Sequence, residues 1–178
     1  GNIQRHLALP HAAYHGKLRH EISIKRKRHT APKHIGLGIA HHVIRRAAEN
    51  IAAAGLSRSI RAIRRDGLHG SAGDAPRATD IVIAGMGGEL IAHILADPEA
   101  AWVRDAGVRL VLQPMTKQSV LRRWLWDAGF ATDTELLIPK GDGSVYQIIA
   151  AHYAPTERGD PLTEAEAAYG RENLARMD

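Results

Sequence analysis

The run Asp80-Ile-Val-Ile-Ala-Gly-Met-Gly-Gly-Glu-Leu-Ile-Ala-His-Ile-Leu95 is the part of the chain whose residue types and spacing best suit chemistry. An acidic residue opens an apolar stretch too short for a helix. Gly85, Gly87 and Gly88 follow, and apolar residues at helical spacing begin directly after them. The pattern reads as strand, glycine loop, helix. In an open α/β sheet, ligands bind beyond the carboxyl ends of the strands. Glycines let the backbone approach a bound group, and a helix N-terminus offers free N–H donors. The junction therefore predicts a small-molecule site. A dinucleotide fingerprint requires a third glycine where Leu90 stands, and an acidic end to the following strand where Gln113 stands. A tight turn that only packs helix on strand is the plain structural reading. A third reading depends on the rest of the chain.

The surrounding elements must hold this junction in place. Residues 39–54 read as a helix with Val43, Ile44, Ala47, Ala48, Ile51 and Ala54 on one side, stopped by Gly55. Residues 59–63 alternate like a strand that ends at Asp66-Gly67-Leu68, and residues 69–79 form a loop. Residues 108–113 make the strand after the glycine junction, which Pro114 is expected to break. Residues 119–128 form a helix with Val120, Leu121, Trp124 and Leu125 inward, closed by Gly129. Residues 134–138 and 145–151 flank Lys140-Gly-Asp-Gly143 as a hairpin. Alternating helices and strands predict an α/β fold with a mostly parallel sheet, closed here by a C-terminal antiparallel hairpin. Residues 154–162 read as a linker. Thr163 and Glu166 then open a capping box, and the helix they start is expected to run through Gly170 to Asp178, so that the chain stops inside an element.

Composition narrows the function classes. The chain has 178 residues, is 44% apolar and contains no Cys, so disulfides, thiolate metal sites and Cys nucleophiles are excluded. This fits a cytoplasmic protein. No apolar run approaches the roughly 20 residues of a membrane span, and residues 1–34 are too polar for a signal peptide. Those 34 residues hold eight Lys/Arg, six His and one acid, while residues 35–178 are close to neutral. A basic segment of this kind supports a non-catalytic nucleic-acid-binding protein as the alternative function. His41 and His42 are adjacent, point apart on a helix and lack a third ligand at suitable spacing, so no metal is expected. The pattern leaves the oligomeric state unknown.

Several of these motifs together resemble the bacterial tRNA (adenine-22-N1)-methyltransferase family. They are Ile83-Ala-Gly-Met-Gly-Gly-Glu-Leu-Ile91, Arg109-Leu-Val-Leu-Gln-Pro-Met115 and Leu121-Arg-x-Trp-Leu-x-x-Ala-Gly-Phe130. Asn50-Ile-x-x-Ala-Gly-Leu56, Arg65-Asp-Gly-Leu68 and Tyr146-Gln-Ile-Ile149 add to them, so the match covers residues 43–153. The closing hairpin is also usual in class I S-adenosylmethionine-dependent methyltransferases and unusual in nicotinamide-binding Rossmann domains. The resemblance implies a Rossmann-like catalytic core at 43–153 and the start of a truncated helical arm at 154–178. It implies S-adenosyl-L-methionine as cofactor and methylation of adenine N1 in tRNA as the activity. Asp66, Gly67 and Leu68 would lie beside the cofactor's adenine, with Asp66 accepting from the exocyclic amine. Asp66-Gly67 as a turn alone is the alternative. Ala84, Gly85, Met86, Gly87 and Gly88 would form the floor between sulfonium and target base, and Gln113 and Pro114 would edge the adenine pocket. For Gln113, a solvated strand end is the alternative. No catalytic acid or base is named, because adenine N1 is unprotonated at neutral pH.

Residues 1–42 depart from the family pattern. The Asp-x-Gly-(Ser/Thr)-Asp-His-x-x-Leu-Pro motif that grips the methionine half of the cofactor is reduced to His6, Leu9 and Pro10, with Gly1 and Arg5 at the acidic positions. The family's first strand is expected to be missing. The segment is read as divergent or degenerate. Its abrupt excess of His and Arg favours translation out of frame or gene truncation over divergence toward RNA binding. On that reading the chain is an inactive or partial family member.

Overall fold

The computed structural model describes residues 21–26, 34–38, 41–71 and 78–176. A seven-stranded sheet runs through them. Its strands are β1 (Glu21–Arg26), β2 (His34–Gly38), β3 (Ile60–Arg64), β4 (Ala78–Gly87), β5 (Arg109–Thr116), β6 (Phe130–Pro139) and β7 (Val145–Tyr153), in the order β3-β2-β1-β4-β5-β7-β6. The helices are α1 (His41–Ala53), α2 (Gly88–Ala96), α3 (Gln118–Asp127), α4 (Glu164–Tyr169) and α5 (Arg171–Leu174), with a 3-10 helix at Pro98–Arg104. β2 pairs parallel with β3 and β4 with β5, while β1 and β7 run against their neighbours. Five strands thus share one direction, and the closing hairpin is antiparallel as expected. The strand beside β4 on the side away from β5 is β1, which runs in the reverse direction.

The core lies where the central strands meet α2 and α3. Ile81 and Ile83 of β4, Leu110 and Leu112 of β5, and Ile149 of β7 are fully buried with Ile91 and Leu95 of α2 and Leu121 and Leu125 of α3. Each such Leu or Ile stabilises the fold by about 1.5–3 kcal/mol. The alternation of buried Ile81 and Ile83 with half-buried Val82 and Ala84 is the period of two of a strand. It turns one face of β4 to the core and holds the glycine loop at a fixed height. The stripe on α1 is only partly covered, since Val43, Ile44, Ala47 and Ile51 are half-buried.

Three local expectations are corrected. β5 does not stop at Gln113 but continues through Pro114 to Thr116. The last β5–β7 pair is Leu112 with Ile149, and the β4–β5 register slips on both sides of the Met86–Pro114 pair. A proline without an N–H is tolerated at such an irregularity. In α3, Val120 is exposed and Arg122 is buried in its stead, because α4 covers a second side of that helix. The C-terminal helix does not run on to Asp178. Gly170, at φ +92°, separates α4 from α5.

The capping box at Thr163 forms as expected. Thr163 Oγ1 accepts from Glu166 N at 3.2 Å and Glu166 Oε2 accepts from Thr163 N at 2.8 Å. Arg171 Nε donates to Glu166 Oε1 at 2.6 Å. This bond, with those from Thr163, lowers the Glu166 pKa to about 2. A carboxyl held below its unfolded value stabilises the fold above pH 4.5 and stops doing so as pH falls toward about 2. Urea unfolding of the wild type is therefore expected to weaken across that window, with a flatter profile for Glu166→Gln. Thr163→Ala is expected to cost about 1 kcal/mol at neutral pH.

Candidate functional site

β4 and β5 are adjacent and parallel, so their carboxyl ends reach the same rim of the sheet. β4 carries Ala84, Gly85, Met86 and Gly87 there, and Gly88 opens α2. β5 carries Gln113 and Pro114. Ala84 pairs with Gln113 and Met86 with Pro114, so the register skips Gly85. This is the extra residue of a bulge, and its φ of +78° is one that glycine adopts without strain. A bulged residue loses its ladder partner, and here a side chain replaces it. The Gly85 N–H donates to Gln113 Oε1 at 3.0 Å.

Gly88 is where helix meets strand most tightly. A Cβ there would run into the Lys117 carbonyl oxygen and lie 3.0 Å from Leu121 Cβ. A Cβ at Gly87 would meet only Thr116 Oγ1, at 3.1 Å. The lack of a side chain at residue 88 thus lets α2 start directly against the turn into α3. That turn is itself strained, because Lys117 is the one non-glycine residue at positive φ among the described residues, at φ 57° and ψ 39°. Such a conformation costs about 1–2 kcal/mol in an L-residue.

Asp66, Gly67 and Leu68 sit farther along α2. Gly67 adopts φ +54°, and a Cβ on it would lie 3.1 Å from Ile94 Cγ1. Leu68 is fully buried in the core, and Asp66 is exposed. The Asp66 and Leu68 carbonyls accept from the His69 and Ser71 amides, both at 3.0 Å, so the segment is a tight turn. Trp102 Nε1 donates to Ser71 Oγ at 3.1 Å, and His69 Nδ1 lies 3.3 Å from Asp97 Oδ2, which fixes the end of the turn. The structure therefore brings Ala84–Gly88 together with Gln113 and Pro114, and joins Asp66–Leu68 to them through α2. His6 lies outside the described residues.

Asp80, the third residue of β4, has a structural partner. Asp80 Oδ1 accepts from Arg109 Nε at 2.8 Å across the β4–β5 pair, at the opposite end of the strand from the glycines. Lys117, Leu90, Met115 and Val120 were not foreseen as rim residues, yet all are exposed around the two strand ends. Leu90 lies two residues beyond Gly88 and Met115 directly follows Pro114, which is the signal that sequence offers for them. The left-handed turn at Lys117 has no such signal, since no glycine or asparagine stands there. Among the described residues no three His, Asp or Glu side chains gather as a metal ion requires, and no helix is long and apolar enough to cross a membrane.

Known proteins share this arrangement. Residues 14–149 match the family model described as Methyltransferase domain. Over 93 residues the chain is 40% identical to the tRNA (adenine(22)-N(1))-methyltransferase of Bacillus subtilis (strain 168), covering 52% of this chain and 34% of that protein. Sp1610 of Streptococcus pneumoniae, described as a candidate tRNA (m1A22) methyltransferase and solved with S-adenosyl-L-methionine, superposes with a TM-score of 0.69 at 28% identity over 81% of this chain and 64% of that one. The B. subtilis M1A22 tRNA methyltransferase TrmK superposes with a TM-score of 0.57 at 30% identity over 79% of this chain and 54% of that one. The chain thus spans about a third of the curated relative and less than two thirds of these solved ones. With strand, glycine loop and helix placed as its motifs require, and with the family model spanning three quarters of its length, the chain belongs to the methyltransferase-domain family and resembles its tRNA (adenine-22-N1) members.

Proposed function

We propose that this chain is an S-adenosyl-L-methionine-dependent methyltransferase that acts on adenine N1 in tRNA, in the cytoplasm, with residues 43–153 as its catalytic core and residues 154–178 opening a helical arm. The observation that carries the reading is the bulged glycine loop at the carboxyl end of β4, held beside Gln113 and Pro114 of β5 in a chain of this family. Ala84, Gly85 and Gly87 stand half-buried at the rim without bulky side chains, which suits a group that lies flat on backbone.

When bound, S-adenosyl-L-methionine supplies an electrophilic methyl group on a sulfonium. The residues of the chain have the remaining tasks. Ala84–Gly88 form the floor on which methyl group and base meet. Gln113 and Pro114 edge the base pocket, and Asp66–Leu68 hold the cofactor's adenine. Adenine N1 carries an in-plane lone pair, so a carbon–nitrogen bond forms as the carbon–sulfur bond breaks, without a general base. Orientation and exclusion of water then account for the rate. N1 lies on the pairing edge, so the base must be unpaired or flipped out to react.

Calorimetric titration of the chain with S-adenosyl-L-methionine is expected to give saturable heat, and unmodified tRNA transcripts are expected to gain N1-methyladenine. No heat at millimolar cofactor would sink the reading.

A further inference from the structure

Gln113 has a single sensible amide orientation. Of the two polar atoms of the amide only the oxygen can accept, and Gly85 N–H points at this side chain from 3.0 Å. Oε1 is therefore committed to the bulge, and the NH2 group faces away from it. Its partner in the structure is Met115 Sδ at 3.4 Å, and a thioether is a weak acceptor. The Met115 side chain is exposed. The result is a half-buried amide donor, with its direction set by the glycine loop, holding a partner that a better acceptor can displace.

We propose that Gln113 reads the target purine: its NH2 group, oriented by the bond from Gly85, donates to a ring nitrogen of the base other than N1. This role rests on the methyl-transfer reading above and adds to it a specificity-determining contact. The chemistry restricts the acceptor. A donor on N1 would occupy the lone pair that must take the methyl group. The exocyclic amine of adenine is itself a donor and would oppose Gln113 Nε2. N3 and N7 remain, and both are acceptors in an unpaired adenine. A pyrimidine presents O2 where a purine presents N3 but nothing in place of N7, so a contact to N7 favours purines and one to N3 fixes the pose of the base. The loop and the recognition group are then one device, since the N–H that the bulge leaves without a ladder partner is the group that aims the amide.

The test uses the full chain and RNA hairpins with one reactive adenosine, replaced in turn by 3-deazaadenosine and 7-deazaadenosine. Gln113→Glu keeps an oxygen for Gly85 N–H and removes the donor. Gln113→Leu removes both. Cofactor binding is followed by calorimetry and methyl transfer by label from S-adenosyl-L-methionine. The wild type is expected to lose about tenfold in transfer on one of the two deaza bases, the size of one hydrogen bond. Gln113→Glu is expected to bind cofactor within about threefold of the wild type and to transfer about tenfold more slowly to adenosine. It is also expected to lose the discrimination between adenosine and that deaza base. Comparing wild type with variant cancels the change in N1 reactivity that deaza substitution brings. Discrimination that persists in both variants, or a wild type that treats all three bases alike, overturns the proposal and leaves Gln113 as a brace for the loop. Failure of the wild type to bind cofactor or to methylate adenosine overturns the methyl-transfer reading itself, and this role with it.

Discussion

Gly88→Ala is expected to unfold the chain at a temperature about 9 °C lower than the wild type, corresponding to about 3 kcal/mol, and to abolish S-adenosyl-L-methionine binding. The added methyl group would collide with the Lys117 carbonyl oxygen and press on Leu121 Cβ at 3.0 Å. Neither obstacle yields easily. The carbonyl belongs to backbone already held in the left-handed region at φ 57°, and Leu121 is fully buried between α3 and the sheet. Relief requires α2 to draw back from the turn into α3, which moves the floor of the site with it. Gly87→Ala is the internal comparison. Its Cβ would meet only the Thr116 hydroxyl, a side-chain atom at 3.1 Å, and the backbone there is at an ordinary φ of −70°. Its stability is expected to fall by less than about 1 kcal/mol. Differential scanning calorimetry of the two variants separates close packing from general intolerance of the loop. Equal melting temperatures for Gly88→Ala and wild type would mean that helix and turn are not in contact.

The contrast between these two glycines marks how far the sequence could be read. Gly85, Gly87 and Gly88 announce a strand-to-helix junction by spacing alone, and the junction is there. What each glycine is for cannot be seen without the partner strand. Gly85 absorbs a bulge, and Gly88 makes room for a carbonyl contributed by residue 117. The same holds for proline. The reading that Pro114 ends its strand follows from the missing N–H, but it assumes a partner that needs that N–H, and the register slip beside Met86 removes the need. The seam of Leu121 and Leu125 was legible because its period is that of a helix with one buried face. Arg122 escaped because the period cannot announce a second covered face, and the cover comes from residues some 45 positions onward. Gly170 was visible, but its role as a break depends on Glu135, which lies against it from a distant strand. Local pattern thus set the elements, while sites of close approach were set by contacts between segments far apart in the chain.

Arg122→Met is expected to destabilise the chain by about 3–5 kcal/mol, because it leaves a buried carboxyl without its partner. Arg122 and Glu135 are 4% and 2% exposed. The Arg122 guanidinium spends its donors on four acceptors. Nε reaches Glu135 Oε1 at 2.7 Å, Nη2 reaches Gln147 Oε1 at 2.7 Å, and Nη1 reaches the Ala167 and Ala168 carbonyls at 3.1 Å each. One side chain of α3 therefore fastens the β6–β7 hairpin and the last turn of α4 to the layer that carries the site. Burial raises the Glu135 pKa, and the bond and charge of Arg122 work against that rise. A carboxyl raised above its unfolded value contributes most stability below that value, and the contribution is lost as pH climbs through the folded one. Without Arg122 only the weaker pull of the Arg176 charge opposes the rise. The deficit of Arg122→Met is therefore expected to be smaller at pH 5 than at pH 8, measured by urea unfolding at both. Replacing the pair together, Arg122→Met with Glu135→Leu, is expected to recover part of the loss at pH 8, since no charge is then stranded. A deficit below about 1 kcal/mol in the single variant, or one that grows as pH falls, would show that the pair does not carry the docking of α4. If the docking is local to this pair, calorimetry at 10 °C will find cofactor binding to Arg122→Met unchanged while its melting temperature falls, because the glycine loop is braced by Gln113 and Lys117 and not by the C-terminal helices.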